Sequence, residues 1–181
     1  EPGAMAALLG VDLAIIDEIC QKYSLEIANY NCPGQIIISG KKASIEAAVA
    51  DLRSAGQRAM LLQVAGAYHS SLMKTAEAAF SLYLEKFPAS MPECLLFQNY
   101  SAAVPASTEE LQQNLINQLS GSVRWEACFE QIKQNSDVII ELGPGTVLSG
   151  LAKKMDCKQP VLNINSCESL EKTLSFLNSI S

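Results

Sequence analysis

Residues 4–9, Ala-Met-Ala-Ala-Leu-Leu, form an apolar run of strand length. Asp12 follows as a plausible N-cap for a helix over 13–23. There the apolar positions Leu13, Ile16, Ile19 and Cys20 recur at three and four, as one buried helix face requires. Residues 26–30 predict a strand, Asn31-Cys32-Pro33-Gly34 a turn, and residues 35–39 its hairpin partner. A second amphipathic helix is expected over 42–55, with Ile45, Ala48, Val49 and Leu52 inward, and a last strand over 59–64. Strand, helix, strand, strand, helix, strand is the order of a split βαβ, ferredoxin-like unit.

The pattern changes after the small residues Ala65-Gly66-Ala67. A long helix is expected over 70–87 and a strand over 95–100. Ser107 and Glu110 form a capping box for a helix running to Leu119, and residues 125–135 read as helical. A buried strand over 137–142 ends in Gly143-Pro144-Gly145, followed by a helix over 146–155, a strand over 160–164 and a helix over 170–180. Strands alternating with helices predict a parallel α/β sheet. The fold class is therefore α/β, with a βαββαβ small subdomain over 3–66 and an α/β part over 67–181.

Composition narrows the function classes. The 181 residues are 49% hydrophobic, enough for a real core, yet no apolar run approaches the ~20 residues of a membrane span. Thirteen Lys+Arg against nineteen Asp+Glu give a net charge of -6, and the basic residues are scattered. No basic face is present, so nucleic acid is not expected as a partner. The six cysteines, at 20, 32, 94, 128, 157 and 167, contain no CxxC and predict reduced thiols in a cytoplasmic protein. One histidine and no suitable cysteine spacing leave no metal site to expect. The chain starts at Glu1-Pro2-Gly3, one step before a strand, which suggests a piece of something longer.

Three places are candidates for chemistry. Gly143-Pro144-Gly145 stands where a strand hands over to a helix, a position at which free N–H groups can bind phosphate or an oxyanion. Leu148 stands where a dinucleotide fingerprint needs glycine, and a tight turn is the competing reading. His69 lies between the last small-domain strand and a helix, beside Gly66 and Ala67. As a general base it needs a nucleophile, and no GxSxG elbow occurs in these residues. Asn29, Asn31 and Gln35 cluster at the hairpin turn, where such side chains also satisfy backbone groups.

Taken in order, the segments Gly3 to Gly10, Asn29-Tyr30-Asn31-Cys32-Pro33-Gly34-Gln35 with Ser39-Gly40, and Gly66-Ala67-Tyr68-His69-Ser70-Ser71-Leu72-Met73 resemble malonyl-CoA:acyl carrier protein transacylases. So do Gln118-Leu119 with Val123 and Trp125, and Glu141-Leu142-Gly143-Pro144-Gly145 with Leu148 and Gly150. The resemblance implies the C-terminal part of an α/β-hydrolase-like acyltransferase carrying a ferredoxin-like subdomain. It implies transfer of malonyl from malonyl-CoA to the phosphopantetheine thiol of acyl carrier protein, by a serine nucleophile and ping-pong chemistry. In that scheme His69 is the base, a main-chain carbonyl near Gln118 orients it, and Asn31, Gln35 and Tyr68 contact substrate. Tyr68 before the histidine implies malonyl in preference to methylmalonyl, because one methyl is worth ~1–3 kcal/mol. No cofactor is implied, malonyl-CoA being substrate. The family's serine elbow and its malonyl-binding arginine belong before Glu1, so this chain alone is expected to be inactive. Two alternatives stay open: a polyketide-synthase acyltransferase domain, and a non-catalytic βαββαβ module that binds a small ligand.

Overall fold

A computed structural model describes residues 2–180. The chain forms two compact units, Glu1–Cys128 and Phe129–Ser181, so the expected boundary after residue 66 falls inside the first unit.

The first unit begins with β1 (Gly3–Leu9), α1 (Leu13–Tyr23), β2 (Glu26–Cys32), β3 (Gln35–Lys41), α2 (Lys42–Ser54) and β4 (Arg58–Leu61). The strands make one antiparallel sheet in the order β2-β3-β1-β4, with β1 between β3 and β4. β1 and β2 are thus separated by β3, and β3 and β4 by β1, as in a split βαβ arrangement. Period-2 alternation sorts the apolar residues onto two faces. Ala6, Leu8 and Ile38 join Ile16, Cys20, Ile45, Val49 and Leu52 of the helices in one cluster, while Met5, Ala7, Ala28 and Ile37 form another. Both faces are covered, which is why β1 carries an unbroken apolar run instead of alternating with polar residues. Ile16, Ile38, Ile45 and Leu52 are almost completely buried, each contributing about 1.5–3 kcal/mol.

Local signals set the boundaries. α1 spans the residues its periodicity predicts. Asp12 has the extended backbone of an N-cap, and its carbonyl accepts from Ile16 N, but its side chain makes no cap bond. Gly34 turns the hairpin at φ +72°, a conformation glycine adopts without cost. β2 carries register irregularities at Ile27/Asn29 and Tyr30/Cys32, so seven of its residues face five of β3.

Past β4 this unit is helix and loop. Ser71–Met73 is a single 3-10 turn, followed by α3 (Lys74–Leu84), α4 (Thr108–Asn117) and α5 (Trp125–Gln134), the last running across the unit boundary. The helix expected from residue 70 begins later because Ser70 is extended (φ -138°, ψ 168°) and His69 lies at φ +57°. The strand expected over 95–100 does not form. Gln98 and Ala103 bridge each other, while Leu95 and Leu96 are solvent-facing and no second strand among the described residues accompanies them. The capping box of α4 is shifted by one residue. Ser107 Oγ accepts from Glu110 N at 3.2 Å, whereas the Glu110 carboxylate accepts from Ala106 N at 2.8 Å. Segment 121–123 closes on β2, with Val123 N donating to Ala28 O at 2.8 Å and Tyr30 N to Val123 O at 2.9 Å.

The second unit holds β5 (Ile139–Leu142), α6 (Val147–Lys154), β6 (Val161–Ile164) and α7 (Cys167–Ile180). β5 and β6 pair in parallel, as the alternating pattern predicts. The expectation of a buried strand over 137–142 is corrected. β5 starts at Ile139, β6 is its one partner among the described residues, and Leu142 is 75% exposed. A two-stranded sheet leaves one edge of β5 unpaired, so its apolar residues cannot all be enclosed.

Candidate functional site

His69 is placed by a backbone that departs from every regular conformation. Its φ of +57° is left-handed, a region costing a non-glycine residue about 1–2 kcal/mol. Bonds on both sides hold it there. Ser70 Oγ donates to Ala67 O at 2.7 Å, Met73 N donates to Ser70 O at 2.9 Å, and His69 N donates to Leu119 O at 3.3 Å. Close packing helps fix the segment. A Cβ on Gly3 would lie 2.3 Å from Ala67 N, so glycine lets β1 pass directly against this turn.

The imidazole is half-buried, and its Nδ1 lies 2.8 Å from Gln118 O. A carbonyl oxygen only accepts, so Nδ1 carries the proton and donates it. In its neutral form the ring so held presents an unprotonated Nε2, with its orientation and tautomer fixed from the other side. Such a group can take a proton from a hydroxyl or thiol brought to Nε2. Ser70, its sequence neighbour, is not that hydroxyl: it is fully buried and already donates to Ala67 O.

The carbonyl side of the pair is equally well anchored. Gln118 is the C-cap of α4, where the last helical carbonyls lack intrahelical partners and are free to accept. Its side-chain Nε2 donates to Gly121 O at 3.0 Å and to Ser122 O at 3.4 Å, and Ser122 Oγ donates to Ile27 O at 2.6 Å. Ser120 Oγ donates to the Glu77 carboxylate of α3, which also pairs with Lys74 at 2.7 Å. Burial alone would raise the Glu77 carboxyl, but the hydrogen bonds from Lys74 and Ser120 outweigh it and hold the carboxyl below its ordinary value. Further back, Asn114 Nδ2 donates to Gln98 Oε1 at 2.9 Å and Gln98 Nε2 to Leu111 O at 3.0 Å. This buried amide pair ties α4 to the loop that replaces the expected strand.

Of the five residues singled out from the sequence, His69 and Gln118 are joined directly. Asn31 and Gln35 stand at the tip of the β2–β3 hairpin, both half-buried. Gln35 Oε1 accepts from Cys32 Sγ at 3.9 Å, which fits a turn-stabilising role. Tyr68 is 42% exposed, and its ring turns back over Gly66. Sequence reasoning missed Glu26, which accepts from Ser71 N and Oγ, and the pair Glu77 and Ser120; each link joins segments far apart in the chain. Burial, with the nearby Asp17 and Glu26, pushes the Cys20 thiol up to about 11, in keeping with a cysteine acting as a small hydrophobe.

The Gly143-Pro144-Gly145 turn belongs to the second unit. Gly143 (φ +128°) and Gly145 (φ +83°) both adopt conformations reserved largely for glycine. The expected anion position is taken internally. Glu141 accepts from Leu148 N and Ser149 N, both at 2.9 Å, and from Ser149 Oγ at 2.5 Å. Burial opposes ionisation of Glu141, but these bonds prevail and lower its pKa. The first N–H groups of α6 are therefore satisfied by the chain's own carboxylate.

No family model matches the chain. Curated relatives do. The chain is 40% identical over 176 residues to the malonyl CoA-acyl carrier protein transacylase of Staphylococcus aureus (strain MSSA476), covering 93% of this chain and 57% of that protein. It is 34% identical over 182 residues to that of Bacillus subtilis (strain 168), covering 97% and 57%. Solved structures agree. FabD from Acinetobacter baumannii superimposes with a TM-score of 0.91 at 33% identity over 99% of this chain and 60% of the other. The malonyl CoA-acyl carrier protein transacylase of Clostridium perfringens gives 0.92 at 33% over 99% and 58%. The chain thus spans 57% of the length of these curated relatives, and the resemblance read from its motifs holds over nearly all of its own.

Proposed function

We propose, from its relation to malonyl CoA-acyl carrier protein transacylases, that this chain is the part of such an enzyme that supplies the general base. The reaction is transfer of malonyl from malonyl-CoA to the phosphopantetheine thiol of acyl carrier protein, through an acyl-serine intermediate. One observation carries the reading: His69 Nδ1 is bonded to a main-chain carbonyl at 2.8 Å, leaving Nε2 free. His69 takes the serine proton through Nε2 during acylation and returns it to the departing CoA thiolate; the cycle repeats in reverse with the carrier thiol. A neutral carbonyl suits this task better than a carboxylate, because malonyl itself is an anion and like charges close together are unfavourable. Tyr68, Asn31 and Gln35 are assigned to substrate contact, Tyr68 limiting the room for an α-methyl. A partner of this kind has precedent in a solved structure similar to this chain, a type II polyketide acyl-carrier protein in complex with its malonyl-transacylase (TM-score 0.89, 31% identity). Fatty acid synthesis is the setting we assign, in the cytoplasm; no helix of the described residues is long and apolar enough to cross a membrane.

The test uses a protein carrying this chain together with a nucleophilic serine. His69→Ala is expected to cut the acylation rate by about 10²–10⁴ with acyl-CoA binding far less changed, since proton removal is a transition-state contribution. Rapid-quench measurement of the malonyl adduct reads this out. An unchanged rate sinks the assignment.

A further inference from the structure

We propose that Glu26 is a positioning residue for His69: its carboxylate grips Ser71 and so fixes the backbone that presents the imidazole to Gln118. The proposal rests on the reading of His69 as the base and adds a residue to it. Glu26 opens β2 opposite Ser39 of β3, on the far side of the sequence from the histidine segment. Its Oε1 accepts from Ser71 N at 2.9 Å and from Ser71 Oγ at 2.6 Å, a contact across 45 residues. Two donors converge on one carboxylate oxygen, and bonds to an ionised acceptor are roughly twice as strong as neutral ones.

The histidine segment needs such a grip. His69 and Ser70 have successive non-helical conformations, and the segment joins the following 3-10 turn only through Ser70 O, which accepts from Met73 N at 2.9 Å. The direct bond from His69 N to Leu119 O is long, at 3.3 Å, near the outer edge of an N–H···O bond. Ser70 Oγ binds Ala67 O inside the same turn, which stiffens the turn without anchoring it to the sheet. Ser71 is the residue that ties this turn to β2, and it does so through Glu26. Release of Ser71 lets the left-handed residue relax toward ordinary backbone, which carries the ring away from Gln118 O. A displacement of about 1 Å is enough to break a hydrogen bond and to misplace a reacting group.

The experiment follows the ring nitrogens of His69 by ¹⁵N NMR in the 181-residue chain, where it is the sole histidine. Wild type is expected to show one neutral tautomer, protonated at Nδ1. Glu26→Ala should shift the ring to a mixture containing the Nε2-protonated form, with the thermal melt still cooperative. Glu26→Gln keeps an acceptor oxygen at the same reach and should restore the single Nδ1–H tautomer. Retention of that tautomer in Glu26→Ala overturns the proposal, as does failure of Glu26→Gln to restore it. If Glu26→Ala does not fold, Ser71→Ala decides: it removes one of the two donors, so a partial mixture supports the link and a wild-type ring refutes it. A wild-type ring lacking the Nδ1–H tautomer, by contrast, defeats the general-base reading itself before Glu26 is changed.

Discussion

Glu77 shows how single residues hold the candidate site. Its carboxyl is kept below the ordinary 4.5, with burial opposing and the bonds from Lys74 and Ser120 prevailing. A depressed folded-state pKa stabilises the fold at pH above 4.5, and that contribution is lost as pH falls through the lower folded value. Glu77→Gln should therefore melt lower than wild type at neutral pH and lose less on acidification below 4.5, in melting curves taken across the acid range. The same change should leave α4 in place, since Gln98 and Asn114 anchor it separately. Sequence motifs point to His69 and Gln118 because their neighbours are distinctive. Glu26 and Glu77 are illegible there. A surface glutamate becomes specific only when folding brings it to Ser71 or Ser120, 45 and 43 residues away.

Among elements, amphipathic periodicity is the most legible signal. It places α1 and α2 to within a residue, because each buries one continuous stripe. It fails over 95–100, where an apolar run has no neighbouring strand, and a strand is defined by its partner as much as by its residues. The strand-to-helix turn after β5 was legible as a turn, but its occupant was not: Glu141 fills the N–H groups that the sequence left open for an anion. Gly143→Val tests that corner. A β-branched residue at φ +128° is expected to cost about 1–3 kcal/mol, read as a shift in the denaturant midpoint. A midpoint unchanged within error would show that the turn relaxes freely. Glu141→Ala, stripping α6 of its cap, should cost about 1 kcal/mol by the same measurement.

At the scale of the molecule, the chain holds an oriented imidazole and exposes large apolar residues, Leu142 and Val147 of the second unit among them. Mass spectrometry after mixing the 181 residues with malonyl-CoA is expected to find no covalent malonyl adduct, because the hydroxyl next to His69 in sequence, that of Ser70, is buried and committed to Ala67 O. A stable adduct on any serine would overturn the division of roles drawn above. The left-handed backbone at His69 has a consequence for how variation at this position is filtered. Glycine there relieves about 1–2 kcal/mol of strain while giving up a similar amount in chain entropy and the ring's hydrogen bond. Folding is thus nearly indifferent to the imidazole. In a library screened for cellular abundance, glycine and asparagine at 69 should survive beside histidine; in the same library screened for acyl transfer, only histidine should. The gap between those two readouts is the measure of what selection, as opposed to stability, asks of this residue.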